Sequence, residues 1–309
     1  MDPPQPPAVP PHPQIHGRRT LAVRAVAART ADAIAGGHHI RIPWDPPPVN
    51  AQPRYGYGRR SHQRLTQLLS CNDDRYRDVL LDLQRYKDDL ATIALEQNDP
   101  LEPHWRSGYL FGFDGATLYG SIRSRMPRRY LEVGSGNSTL FVDRARRDGG
   151  VDLEIISMDP CPRREIDSIC DRIVRQPLED ADLGIFDDLR DGDVLFMDGT
   201  HRVFMNSDVT AFFLDVLPEL PPGILVGIHD IHLPDDYPPG YNDRYYSEHY
   251  LLAALLLGEP SWIETVLPCW YVSHHPQLGE LAHALIPPAF ASEDPHGVIF
   301  WLLTGSRER

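Results

Sequence analysis

The chain of 309 residues has only four cysteines, Cys71, Cys161, Cys170 and Cys269, and no two of them stand at C-x-x-C spacing. That spacing excludes a zinc-ribbon ligand set and a disulfide framework, and it predicts reduced thiols in a cytoplasmic protein. No apolar run approaches the ~20 residues that span a bilayer, so no membrane partner is expected. Arg18-Arg19 precede Leu21-Ala22-Val23, but Arg24 and Arg29 break the apolar stretch an export signal needs. Positive charge is also scarce: 30 Lys and Arg face 44 Asp and Glu, a formal net charge of −14. A nucleic-acid binder needs a basic footprint to displace counterions, so nucleic acid is not an expected partner either. A phosphorylated small substrate stays open.

Residues 1–13 hold seven prolines and almost no apolar side chains. Such a segment cannot bury enough surface to offset its ordering entropy, and it reads as disordered or polyproline-like. A short Ala/Arg-rich helix is expected over 18–36, then a second proline-rich connector from Pro43 to Pro53. Residues 1–53 are therefore read as a tail. Residues 54–128 read as a helical extension. Within it Tyr76, Val79, Leu80, Leu83, Tyr86, Leu90 and Ile93 recur at three- and four-residue steps, one face of a helix with Asn72 as its N-cap. This extension is expected to cover one side of the domain that follows, 129–309.

From Arg128 onward strand and helix patterns alternate. Strands are expected near 129–133, 153–158, 172–176, 193–198, 224–229, 262–272 and 297–303, and helices near 138–147, 163–170, 207–217 and 242–257. Alternation of this kind implies an α/β fold, a Rossmann-like doubly wound sheet with helices on both faces. Between the last two strands no helix pattern is visible.

The most specific stretch is Tyr130-Leu131-Glu132-Val133-Gly134-Ser135-Gly136-Asn137-Ser138-Thr139. It reads as a strand that ends in a tight glycine turn and opens a helix. Glycine lets backbone approach a ligand closely, and such turns lie at the carboxyl rim where open α/β sheets bind ligands. A second apolar run ends at Asp159, 23 residues after Gly136, where an acidic residue can hold ribose hydroxyls. Together they imply a nucleoside ligand. A dinucleotide fingerprint would carry a third glycine where this chain has Thr139, and Glu132 would repel a pyrophosphate but suit the ammonium of a methionine moiety. The strand over 193–198 ends in another carboxylate, Asp198.

On these residues the chain resembles class I S-adenosylmethionine-dependent methyltransferases. Gln176-Pro177-Leu178-Glu179, Phe196-Met197-Asp198-Gly199-Thr200-His201-Arg202, His229-Asp230-Ile231-His232-Leu233-Pro234 and Tyr245-Tyr246-Ser247-Glu248-His249-Tyr250-Leu251-Leu252-Ala253 are similar to a bacterial group of such enzymes whose acceptors are largely unassigned. The resemblance runs from about Arg54 to the C-terminus. It implies a seven-stranded sheet with the last strand antiparallel. It also implies S-adenosyl-L-methionine as cofactor, whereas the acceptor is read separately as a small molecule, methylated at a hydroxyl of a sugar or natural product. Glu132, Gly134, Ser135, Gly136, Asn137, Asp159, Pro177, Leu178 and Asp198 are the expected cofactor residues. An NAD-dependent oxidoreductase and a non-catalytic nucleoside-binding module are the alternatives. The oligomeric state stays open, a homodimer included.

Chemistry is expected at two places on the rim, Asp198 to His201 and His229 to His232. Adjacent parallel strands bring such ends within about 5 Å at the backbone. His229, Asp230 and His201 are the candidate catalytic residues, with an imidazole as general base. Asp198, His229 and Asp230 are candidate ligands for Mg2+ or another divalent metal, which would orient an acceptor oxygen and lower its pKa. Catechol-type O-methyltransferases place ligands comparably, with Asp-Asn where this chain has His229-Asp230. Metal binding, metal-free base catalysis and purely structural roles all fit these residues. Tyr237 and Tyr241 are the expected acceptor lid, whereas Tyr250, beside Leu251-Leu252, reads as core.

Overall fold

The computed structural model describes residues 52–293 and 295–306. The proline-rich start and the helix expected over 18–36 lie outside the described residues, as does the connector up to residue 51. The described residues belong to a compact unit, Asn50–Arg309.

A seven-stranded sheet organises the unit. Its strands are β1 (Arg129–Val133), β2 (Glu154–Met158), β3 (Arg172–Val174), β4 (Val194–Met197), β5 (Leu225–Ile228), β6 (Ile263–Pro268) and β7 (Phe300–Thr304). They lie in the order β3-β2-β1-β4-β5-β7-β6. The first five run parallel, and β7 is antiparallel to both its neighbours. The expected Rossmann-like sheet with a reversed last strand is therefore present. Side chains alternate between faces, as the two-residue strand period requires. Tyr130, Ile155, Val194 and Phe196 join one apolar layer, while Leu131, Val133, Ile156, Leu195 and Met197 join the other.

The helices before β1 are α1 (Gln63–Ser70), α2 (Asp73–Leu83), α3 (Lys87–Ala91) and α4 (Gly112–Arg125). Tyr76, Leu80, Leu83, Leu90 and Ile93 are buried, and Val79 and Tyr86 pack against them, as the periodicity predicts. Burying one such leucine stabilises by about 1.5–3 kcal/mol. The extension does more than cover one side. Leu80 and Leu83 share a layer with Phe113, Leu118 and Ile122 of α4, whereas Leu65 and Leu69 of α1 join the opposite layer. Asn72 does precede α2, but its side chain makes no capping bond; His62 caps α1 by accepting from the Leu65 amide.

Four local expectations need correction. The helix over 163–170 reduces to one 3-10 turn at Asp167–Ile169. Only Ile166 is buried there, so no apolar stripe exists to hold a helix against the sheet. The helix over 207–217 is α6 (Asp208–Ala211), continued by a π turn at Phe212–Val216 and a 3-10 turn at Leu217–Glu219. The helix over 242–257 is a 3-10 turn at Pro239–Arg244 followed by α7 (Glu248–Leu257). The strand over 262–272 stops at Pro268. Cys269 and Val272, three residues apart, then face inward from α8 (Cys269–His274), a spacing the apolar run concealed. Two more short helices, α9 (Leu278–His283) and α10 (Pro288–Ala291), fill the connection to β7 where no helix was expected.

β1 and β4 are neighbours, yet the chain leaves β1 toward β2 on one side and returns to β4 on the other. Ligands of open α/β sheets bind at that reversal, outside the carboxyl ends of the strands. The register sets Val133 opposite both Met158 and Met197, and Met197 opposite Ile228. Gly134, Asp159, Asp198 and His229 therefore leave the sheet along one rim.

Candidate active site

The glycine turn after β1 is held from below and from both sides. Gly134 has φ +81, and a Cβ there would lie 1.9 Å from the carbonyl oxygen of Asp198. Only glycine lets the β1 and β4 turns approach this closely. At Gly136 a Cβ would meet no protein atom within 4 Å. The residue borders open cavity, and α5 (Asn137–Gly149) starts directly after it. The Ser135 amide donates to Asp159 Oδ2 at 2.8 Å, and the Cys161 amide donates to Asp159 Oδ1 at 2.8 Å. The Gly136 amide donates to Thr139 Oγ1 at 3.0 Å, and that hydroxyl donates to Glu132 Oε2 at 2.5 Å. Thr139, the residue that interrupts a dinucleotide fingerprint, thus ties the loop to Glu132.

A cavity of about 940 Å3 opens above this turn. Ser135, Gly136, Asn137 and Ser138 form its floor, the 105–111 segment one wall, and Asp198, His201, His229 and Asp230 another. The glycine- and aromatic-rich Gly108–Phe111 stretch therefore borders the site. Glu132 stands beneath the loop, fully buried, with Oε1 unpartnered. Burial pushes its pKa up to about 8, against the hydroxyls of Ser138 and Thr139 that oppose the rise. Asp159 and Pro177 also stand back from the cavity wall, and Leu178 is packed in the apolar layer.

The rim after β4 and β5 gathers more groups than the sequence suggested. His229 Nδ1 and His201 Nε2 each lie 3.2 Å from Asp198 Oδ1. Asp230 Oδ2 is 3.3 Å from His201 Nε2 and 4.0 Å from His229 Nδ1. Two side chains absent from the expected set complete the cluster. Glu248 Oε2 sits 2.8 Å from His201 Nδ1, and Asp114 Oδ2 sits 3.5 Å from His229 Nε2. Asp114 also accepts from the Val298 and Ile299 amides, which anchors α4 to the approach to β7. Neither nitrogen of His229 makes a hydrogen bond of good geometry within the protein. Asp198, His201 and His229 can each offer one ligand atom, all within 4.8 Å of one another.

Electrostatics bind this cluster together. Burial opposes charge on both imidazoles, but the surrounding carboxylates outweigh it. Asp230, Asp198 and Glu248 hold the pKa of His201 well above the usual range, and Asp198 and Asp114 do the same for His229. Asp198 responds in kind. Burial would raise its carboxyl, yet the two imidazoles hold it far below the carboxylate range. Burial pushes Asp114 and Glu248 upward. His201 and Asp230 both sit at positive φ, +61 and +57. Backbone strain of this kind, about 1–3 kcal/mol per residue, persists where the surroundings over-determine it.

The tyrosines sort differently from expectation. Tyr241 lines the main cavity together with Tyr246, and the Arg244 guanidinium lies 4.2 Å from the Tyr241 ring centroid and 5.6 Å from that of Tyr246. Tyr237 is instead buried, stacked on His249 at 3.9 Å, and faces a smaller neighbouring cavity of about 200 Å3. Tyr250, expected in the core, is 50 % exposed, and its hydroxyl donates to Asp236. On α7 the inward residues are Glu248, His249 and Leu252, so the side chain between them points away.

Asp114 carries no mark as a site residue, and Glu248 stands inside a motif of the resemblance without a role of its own. They lie 115 residues before His229 and 47 residues after His201, and no local spacing links them.

An open sheet in this strand order carries a glycine turn at the reversal point and an acidic residue, Asp159 or Asp198, after each of the two neighbours of β1. Residues 131–231 match a family model described as a methyltransferase domain. That stretch carries the glycine turn and runs from β1 past the end of β5, so this part of the chain is a methyltransferase domain. Among solved structures the chain is similar to the SAH-bound methyltransferase PaMTH1 of Podospora anserina, at 16 % identity and a TM-score of 0.38, over 62 % of this chain and 78 % of that one. It is also similar to an O-methyltransferase from Bacillus cereus in complex with SAH, at 13 % identity and a TM-score of 0.35, over 74 % of this chain and 90 % of that one. No curated protein matches the chain. No helix among the described residues is long and apolar enough to cross a membrane.

Proposed function

We propose that this methyltransferase acts on a hydroxyl group of a small molecule, such as a sugar or natural product, in a site organised around a divalent metal. The reaction breaks the methyl–sulfur bond of the sulfonium and forms a carbon–oxygen bond; the hydroxyl proton leaves, and the thioether departs. The observation that carries this reading is the convergence of Asp198 Oδ1, His201 Nε2, His229 Nδ1 and Asp230 Oδ2 at separations of 3.2–4.0 Å beside the glycine turn. Ligand bonds of ~2.0–2.1 Å set tetrahedral donors about 3.3–3.4 Å apart, so the Asp198, His201 and His229 atoms, all within 4.8 Å of one another, fit one ion, with Asp230 Oδ2 3.3 Å from His201 Nε2 as a fourth group beside them. The unpartnered Nδ1 of His229, on the Asp198 side, fits it as well. Asp198, His201, His229 and Asp230 are the residues that would hold the ion. Its contribution there is Lewis acidity, which orients a hydroxyl oxygen and lowers its pKa.

The protein's own part is mostly placement, which can supply on the order of 7–11 kcal/mol of a barrier in favourable cases. In this reading Gly136 and Asn137 lie against the cofactor, with Glu132 and Asp159 bracing the loop that carries them. The 105–111 segment and the Tyr241, Arg244 and Tyr246 group close the cavity from two sides. With both imidazoles engaged as ligands, the proton of the acidified hydroxyl would leave to solvent through the open cavity. Tyr241 and Tyr246 suit a ring or sugar acceptor, and Arg244 suits an anionic substituent on it.

The test is turnover on a panel of hydroxylated metabolites, before and after chelation. Loss of activity with EDTA and recovery with a divalent ion supports the metal-assisted reading. Full activity after chelation, with a rate that falls as the imidazoles protonate, replaces it with a metal-free general base. Methylation of amines and not hydroxyls overturns the acceptor class.

A further inference from the structure

Two fully buried carboxylates at this site have no part in the reading above. Asp114 stands in the first turn of α4 and Glu248 in the first turn of α7, and neither has any exposed surface. Each meets one imidazole on the nitrogen that faces away from Asp198. Glu248 Oε2 is 2.8 Å from His201 Nδ1, and Asp114 Oδ2 is 3.5 Å from His229 Nε2. The other nitrogens, His201 Nε2 and His229 Nδ1, are left facing Asp198 and Asp230.

The arrangement is tight at His201 and looser at His229, where Asp114 stands 3.5 Å from Nε2 without a hydrogen bond of good geometry. A carboxylate on the far nitrogen of a ligating histidine fixes its tautomer, orients the ring and makes the near nitrogen a stronger donor. The inner set then consists of two imidazole nitrogens and two carboxylate oxygens. Magnesium favours oxygen ligands, near-ideal octahedral geometry and retained waters. Mixed nitrogen and oxygen donors suit first-row transition ions better.

We infer that the rim is a two-imidazole, two-carboxylate site for a first-row transition ion rather than for magnesium, with Asp114 and Glu248 as the positioning residues behind its histidines. The inference rests on the metal-assisted reading and goes past it by naming the ion class and the groups that select it.

The experiment uses the full chain, stripped of metal with EDTA and without cofactor. Calorimetry with CoCl2, MnCl2 and MgCl2 measures affinity, and the visible spectrum of bound Co2+ reports its ligand field. We expect one Co2+ per chain, bound at least tenfold more tightly than Mg2+ and lost in His201→Ala and His229→Ala. Glu248→Gln and Asp114→Asn are each expected to weaken Co2+ by about 10–100-fold and to alter its spectrum. Glu248→Gln preserves the shape and an oxygen facing His201. It decides the matter if Asp114→Asn, which also disturbs the Val298 and Ile299 amides, fails to fold. Melting temperature and S-adenosylmethionine affinity, measured alongside, separate a positioning effect from a loss of structure. Mg2+ bound as tightly as Co2+ overturns the ion class and leaves metal assistance standing. Unchanged Co2+ affinity and spectrum in Glu248→Gln overturns the positioning role. Absence of any ion binding that depends on His201 and His229 overturns both the inference and the metal-assisted reading beneath it.

Discussion

Burial of Glu132 makes the ligand-free enzyme lose stability as pH rises through neutrality. Its carboxyl sits under the glycine loop with no exposed surface, and its pKa moves from 4.5 to about 8, chiefly through burial. The sign follows from where the proton is held more tightly. A carboxyl whose folded-state pKa lies above its unfolded value binds its proton better when folded. Its stabilising contribution is complete below about pH 4.5 and is lost as pH climbs through about 8. At about 1.4 kcal/mol per pH unit, the rise from 4.5 to about 8 corresponds to a loss on the order of 5 kcal/mol across that window. Glu132→Gln is the matching perturbation, because an amide resembles the protonated carboxyl, still offers an oxygen to Thr139 and cannot ionise. Urea unfolding of both proteins at several pH values between 4 and 9, without cofactor, isolates the effect. The difference in unfolding free energy, wild type minus variant, should fall by several kcal/mol between pH 4.5 and 8 and then level off. Parallel curves would mean that Glu132 ionises freely in the fold and that the buried-acid account of the loop is wrong.

Other expectations can be checked separately. Gly134→Ala should abolish or severely reduce folding, because its Cβ would fall 1.9 Å from the Asp198 carbonyl at φ +81, whereas Gly136→Val, facing open cavity, should keep the melting temperature and weaken S-adenosylmethionine binding in calorimetry. Leu80→Ala should cost about 2–5 kcal/mol in denaturant unfolding, since the residue is fully buried in a layer shared with α4; a cost near zero would make the helical extension a peripheral cover. His229→Ala should lower kcat by about 10²–10⁴-fold while cofactor affinity stays nearly constant; parallel losses in both would move His229 from the acceptor side to the cofactor side. Arg244→Met should raise KM for an anionic acceptor and leave a neutral one unaffected, measured on paired substrates.

The cluster at the rim explains why strain is tolerated there. His201 and Asp230 take positive φ while their side chains turn toward Asp198. Asp208 supports the same turn by accepting from the Thr200 amide and hydroxyl, both at 2.6 Å. The Gly199 position is pressed so close to Asp208 that a Cβ would lie 2.1 Å from its carboxylate. The turn after β4 is therefore shaped from the side facing α6 and used on the side facing the cavity.

The sequence by itself determined the elements whose evidence is local. The glycine turn, the strands that end at Val133, Met158, Met197 and Ile228, and the buried face of α2 follow from turn chemistry and from periods of two and 3.6 residues, which neighbouring residues carry together. The same periods misled at 163–170, where no buried stripe supports the helix, and at 269–274, where an apolar run hid a helical spacing. Tyr250 turned outward because the rotation of α7 about its axis is set by what it packs against, and Tyr237, in the loop before it, is buried by stacking on His249 of that helix. His201, His229 and Asp230 were legible as neighbours on one rim because strand adjacency follows from the fold class. Asp114 and Glu248 were not, and only the tertiary structure brought them behind the two imidazoles. A buried carboxylate is chosen by the charge it faces in space, and along this chain that partner lies 115 residues away for Asp114 and 47 for Glu248.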